Sequence, residues 1–210
     1  NPAKRIDIPE SRRRIEVPTE SEFKDIKTWV NDQIESRDEP AWIHLLMKLA
    51  CRTGMRLGEL VQVKWQRGPK DVGTGDARNY VYLDSEERTI TIKFKRKLRV
   101  IPADQAWGVF DILRERREPE DEYVFASPNG GHYDDSYVCN RWKKEIRKVP
   151  SLSRHYTCHC IRHAVVTSLL RKDYTAHKVG QLVGHSSEQI TERYAHLIPS
   201  DLSEMTGDLA

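Results

Sequence analysis

The sequence predicts an α+β fold, mostly α-helical, with one small antiparallel β-sheet inserted after the third helix. Apolar residues recur at helical spacing on both sides of the chain's middle, whereas between about residues 80 and 102 the period drops to two. Length agrees, since 210 residues suit one domain plus an appendage.

Residues 1–18 carry Pro2, Pro9 and Pro18 among basic clusters and read as an arm or linker. Thr19 and Glu22 form a capping box, and Phe23, Ile26, Val30 and Ile34 follow on one helical face. Pro40 opens a second, densely apolar helix through Ala50, with Gly54 placed to stop it. Trp42, Leu45, Leu46 and Leu49 are its core residues by spacing, and a short helix is expected over Leu57–Val61. The long loop Gln66–Asn79, with Gly68, Pro69, Gly73 and Gly75, precedes the strands. Val81 with Leu83, Ile90 through Phe94, and Leu98 through Ile101 are the β segments. The basic stretch Lys95-Arg96-Lys97 joins the last two as a hairpin. Helical patterns return at about 103–117, 136–148, 159–172, 176–183 and 187–196, the last with Ser186 and Gln189 as a capping box. The domain is expected to span 19–210.

No apolar run reaches the ~18 residues of a membrane span, and no secretory signal opens the chain. Five Trp, eight Tyr and four Phe argue against disorder. Four cysteines without a disulfide-scaffold pattern fit a reducing, cytosolic setting. Because the chain opens at Asn1 rather than Met, it is expected to be a processed product or an excised piece.

Net charge is only +3, but it is unevenly spread. Arg88, Lys93, Lys95, Arg96, Lys97 and Arg99 make one stretch without an acid. Arg141, Lys143, Lys144, Arg147, Lys148 and Arg154 make another, broken by Glu145 alone. Such stretches, brought to one face, can hold a phosphate backbone, and Lys97, Arg99, Arg141, Lys143 and Lys144 are the candidate DNA contacts. The alternative is a set of solvated faces.

Chemistry is concentrated in four places. Thr53-Gly54-Met55-Arg56-Leu57-Gly58-Glu59 sets an arginine just after a helix stop. His159 and Arg162 stand three apart, on one helical face. Gly184-His185-Ser186-Ser187 begins 22 residues after Arg162, and Tyr194 lies nine beyond His185. Arginine forks match phosphate oxygens and keep their charge at any working pH. Fixed cations favour the charge that gathers on a phosphodiester under attack. Histidine and lysine can move protons at the entering and leaving oxygens, and a tyrosine beside cations can be the nucleophile. No carboxylate cluster suited to Mg²⁺ accompanies the set, so phosphoryl transfer with no metal or nucleotide cofactor is the coherent reading.

In these boxes and spacings, over residues 19–198, the chain resembles the catalytic domain of the tyrosine recombinases, the phage-integrase and Xer-like family. The resemblance implies that Arg56 and Arg162 clamp the scissile phosphate of double-stranded DNA. His159 and His185 would bond its oxygens and manage the nucleophile's proton. Tyr194 would attack, leaving a 3′-phosphotyrosyl link and a free 5′-hydroxyl, and a hairpin lysine would protonate that leaving oxygen. Glu59 and His163 would orient the site. The family's Lys-x-Arg-x-x-Pro half of the hairpin matches Lys97-Leu98-Arg99-Val100-Ile101-Pro102, but the first lysine falls by counting on Phe94. Lys93 and Lys95 lie on one face of the strand, so parity does not choose between them, and Lys95 is slightly preferred. The resemblance also implies a tetramer on two DNA sites for the full-length protein, with this piece monomeric and lacking the family's N-terminal DNA-binding domain. Residues 1–14 would be the linker into that domain, and 66–79 a DNA-contacting or species-specific insertion. The setting would be a nucleoid, or the host cell of a virus or mobile element.

Other readings remain. A type IB topoisomerase or a telomere resolvase shares the tyrosine chemistry, and a DNA-binding regulator could carry an inactive inherited site. His155, Cys158, His159, Cys160 and His163 are dense enough to suggest zinc, but Cys158 and Cys160 sit one residue closer than structural sites favour. They are expected instead as small buried groups at the helix start. Trp65 and Trp107 are expected in the core rather than stacked on a base.

Overall fold

The computed structural model describes residues 16–67, 79–94 and 97–185. Seven helices and four strands follow in the order α1 (Glu20–Glu35), α2 (Trp42–Thr53), α3 (Leu57–Val61), β1 (Val63–Lys64), β2 (Tyr80–Asp84), β3 (Thr89–Phe94), β4 (Lys97–Pro102), α4 (Trp107–Glu115), α5 (Asp135–Ile146), α6 (Cys158–Leu170) and α7 (Ala176–Val183). This is the mixed fold that the change of period predicts, with each helix expected over described residues present to within a few positions. The expected 103–117 helix starts as a 3-10 turn, Asp104–Ala106, and its α-helical part ends at Glu115. The arm at 1–14, most of the 66–79 loop and the 187–196 helix lie outside the described residues.

The sheet order is β1-β2-β3-β4. β2, β3 and β4 are antiparallel, with Ile92 opposite Arg99 and Phe94 opposite Lys97. The two-residue β1 adds a parallel edge that periodicity does not reveal, pairing Val63 with Val81. A period-two pattern needs more residues than β1 has.

α2 is the central helix, with Ile43, Leu45, Leu46, Met47 and Leu49 fully buried. α1 lays Phe23, Ile26, Val30 and Ile34 against it, the face that the spacing predicts. Trp42 is less buried than expected. It stacks on Tyr133 at the margin of the core, with centroids 4.1 Å apart. Trp65 and Trp107 are core residues, as expected, and Arg114 lies over both rings. Cys158 and Cys160 are buried free thiols, and burial pushes the Cys158 thiol well above its usual range.

The capping box of α1 does more than start a helix. Glu22 Oε2 accepts from the Thr19 amide and the Tyr156 hydroxyl, both at 2.9 Å. Its Oε1 accepts from the Ser153 amide at 2.8 Å and the Ser153 hydroxyl at 2.6 Å. The carboxylate therefore staples the start of α1 to the segment that enters α6. Burial works against its charge, but the Ser153, Thr19 and Tyr156 donors outweigh burial and bring its pKa down from 4.5 to about 2. Glu22→Gln is expected to cost about 2–3 kcal/mol in urea unfolding at pH 7, the range for buried bonds to a charged acceptor. A depressed folded pKa gives stability that is present above pH 4.5 and lost as pH falls towards 2, and the Gln variant should lose that dependence.

Candidate active site

Three helix ends converge beside the sheet. α2 stops at Gly54, whose φ of 62° is left-handed. A side chain there would meet Val165 of α6 at 3.1 Å and Val183 of α7 at 3.2 Å. Glycine thus allows the three elements to close on one another. The Gly54 carbonyl, turned inward, accepts from Arg162 Nη1 at 2.7 Å. Arg162 is only 3% exposed, so its guanidinium is fixed from within the protein.

Arg56 is the residue before α3, and its side chain is 49% exposed. Glu59, one turn on, accepts from its amide at 2.8 Å and from Nη1 at 3.1 Å. Nη2 donates to the Gly184 carbonyl at 2.9 Å. Gly184 ends α7 with φ 73°, and His185 follows it. The backbone of the Gly-His box thus holds Arg56 in place. Val179 and Val183 of α7 pack on Val166 of α6, with Leu169 and Leu170 beside them, which joins the helix of His159 to the one that His185 follows.

On α6, Thr157 caps the helix, its hydroxyl accepting from the Cys160 amide at 3.3 Å. His159 faces outward on the first turn, with the His163 ring edge-on at 4.3 Å. Burial first, then Arg162 and Arg56, hold the His159 imidazole below its ordinary pKa. Burial, then His159, Arg162 and His185, bring His163 down from 6.5 to about 4. His185 falls to about 4 through burial, then Arg162, Arg56, Arg99 and His159. Because Arg162 acts on all three rings and Arg56 on His159 and His185, Arg56, Arg162, His159, His163 and His185 form one electrostatic cluster. At neutral pH its histidines are uncharged beside fixed cations.

An open groove of about 1520 Å³ runs from this cluster along the hairpin, lined among others by Arg56, Lys93, Arg99, Lys178, Gln181 and His185. Lys93 is half-buried, with Nζ 5.7 Å from the Tyr80 ring centroid. Lys95 and Tyr194 lie outside the described residues.

The basic candidates divide. Lys97, Lys143 and Lys144 are exposed. Arg99, expected as a DNA contact, is instead mostly covered, 12% exposed, and ion-paired to Glu59. Arg141 turns towards the buried Glu145, 3.9 Å away, and Lys148 bonds the same carboxylate at 2.7 Å. Glu145 also meets His44 at 3.0 Å, so part of this basic face serves to join α5 to α2. Among the described residues, no group of three or more His, Cys, Asp and Glu comes together as a metal site. His159 and Cys160 diverge on α6, one exposed and one buried.

Comparison with known proteins bears on the family and the fold. The model of the phage integrase family matches residues 19–200. A XerC-like tyrosine recombinase of Caldanaerobacter subterraneus is 28% identical, over 91% of this chain and 56% of its own length. The crystal structure of XerA recombinase superimposes with a TM-score of 0.66 at 24% identity, covering 91% of this chain and 64% of that one. A lambda integrase tetramer bound to a Holliday junction superimposes with a TM-score of 0.56 at 20% identity, over 85% of this chain and 47% of that one. The chain spans about half to three fifths of the length of the curated relatives it matches. With the family model matching most of the chain and the fold shared, this protein belongs to the phage integrase family, the tyrosine recombinases, with the fold of a Xer-like catalytic domain.

Proposed function

We propose that this protein cleaves and rejoins double-stranded DNA through Tyr194. The observation that carries the reading is the gathering of Arg56, Arg162, His159 and His185 in one electrostatic cluster, two of whose members, Arg56 and His185, line a basic groove. Two guanidiniums, each anchored by a backbone carbonyl, offer forks to the non-bridging oxygens of one phosphodiester. Their charge grows in value as charge gathers on those oxygens, which is transition-state stabilisation by fixed cations. His159 and His185, neutral at working pH, take up the phenol proton as Tyr194 Oη bonds to phosphorus. The P–O5′ bond breaks, and a hairpin lysine, Lys93 or Lys95, gives the leaving oxygen its proton. One phosphodiester becomes another, so a second 5′-hydroxyl reverses the step without ATP.

The site is then a DNA recombinase's, working where the DNA of a cell or mobile element lies. The whole protein would act as four copies on two DNA sites, a reading supported by the fold shared with the lambda integrase tetramer on its junction. This chain alone would be a monomer. Incubation with supercoiled plasmid in EDTA, then denaturation, should trap protein covalently joined to DNA. Tyr194→Phe should abolish the adduct and leave DNA affinity within about threefold, since the hydroxyl is the group that reacts. An adduct that persists in the Phe variant would remove Tyr194 from the mechanism.

A further inference from the structure

The contacts of Arg99 differ from those of a groove-lining cation. Its Nη2 pairs with Glu59 Oε2, the same oxygen that accepts from the Arg56 amide. Its side chain lies against Gly184, where a Cβ would fall onto Nη1 and 2.7 Å from Cζ. Among the described residues, Nη1 is buried with no hydrogen-bond acceptor. A covered guanidinium with a spare donor is an expensive arrangement unless its position matters.

Its place in β4 shows what it holds. Arg99 is the last half-buried side chain before the turn. Lys97 and Leu98 beyond it are exposed, Leu98 to 62%, and Phe94 across the ladder to 56%. β4 is also an edge strand, so sheet hydrogen bonds restrain it from one side only. Arg56, by contrast, keeps its own bonds to Glu59 and to the Gly184 carbonyl. Loss of Arg99 therefore frees the hairpin more than it frees Arg56.

We infer that Arg99 is a positioning residue of the strand-cleavage site, clamping the β3–β4 hairpin to Glu59 and to the Gly184 turn so that the hairpin lysine reaches the leaving 5′-oxygen. The inference rests on the function proposed above. It also gives Gly184 a second reason to be glycine, because the guanidinium occupies the space of a side chain. Displacing a reacting group by about 1 Å can cost roughly a hundredfold in rate.

The test compares two nicked suicide DNA substrates, one with the ordinary bridging 5′-oxygen and one with sulfur in its place. The thiolate leaves without a proton, so cleavage of the second substrate does not need the lysine. Arg99→Gln should slow single-turnover cleavage of the oxygen substrate about 30- to 100-fold. On the sulfur substrate it should stay within about threefold of wild type, with DNA affinity changed by a similar margin. Arg56→Lys should be slowed on both substrates, because its planar fork on the phosphate oxygens is needed whatever leaves. Equal losses on both substrates in Arg99→Gln, or no loss on either, would overturn the positioning role. A wild-type protein that forms no adduct on either substrate would instead overturn the strand-cleavage reading itself, and Arg99's part in it.

Discussion

Arg162→Lys is expected to leave the fold standing and to slow strand cleavage about 100- to 1,000-fold, the loss seen when one fixed donor to a transition-state oxyanion is removed. Arg162 is buried to 3% exposure, and one arm of its fork already serves the Gly54 carbonyl at 2.7 Å. Lysine keeps the charge but concentrates it at one nitrogen on a flexible stem, so it cannot hold the carbonyl and present a planar fork to phosphate. Arg162→Ala goes further. It strips a buried carbonyl of its donor, which costs about 1–3 kcal/mol of folding stability before the cavity is counted. Urea unfolding and single-turnover cleavage, run on both variants, separate the two effects. A lysine variant that cleaves at the wild-type rate would reduce Arg162 to a strut between α6 and the end of α2.

The fold was legible wherever an element carries its own signal. Thr19 and Glu22 mark a helix start, Gly54 marks a stop, and alternation from Ile90 to Phe94 marks a strand. β1 was not, because two residues hold no period and its partner Val81 lies 18 positions on. The same boundary runs through the site. Arg56, His159, Arg162 and His185 stand in short boxes whose spacing can be counted, and the structure gathers them. The partners of Arg99 and Arg141 depend on which helix packs where. In the structure Arg99 shares a face of β4 with the buried Ile101, and nothing in the sequence says that Glu59, 40 residues earlier, waits there. Likewise the Thr19–Glu22 capping box is plain in the sequence, while its bonds to Ser153 and Tyr156 span more than 130 residues. Charge counts treat each arginine as a candidate for phosphate. Packing decides which of them are already engaged.

The histidine cluster makes protons a reporter of the site. His163 and His185 are held near pKa 4 in the folded protein, against 6.5 for an ordinary imidazole. Between those values the unfolded chain binds more protons than the folded one, so stability falls as pH falls from about 6.5 towards 4. With solvent screening allowed for, the two rings together should cost on the order of 1–2 kcal/mol across that window. His163→Gln should remove a large part of the slope. The Glu22 window lies lower, from 4.5 down to about 2, so one titration of the urea midpoint distinguishes them. DNA should reverse the effect of the cluster. A phosphodiester placed between Arg56 and Arg162 brings negative charge to the rings and raises their pKa values. Binding at pH 5 to 5.5 should therefore take up protons, seen as a binding heat that changes with the ionisation enthalpy of the buffer, and uptake should shrink in His185→Gln. If the heat is the same in every buffer, the phosphate does not sit where the arginines converge. Protonation of the imidazoles would then be coupled to folding alone, and the groove would grip DNA by some other face.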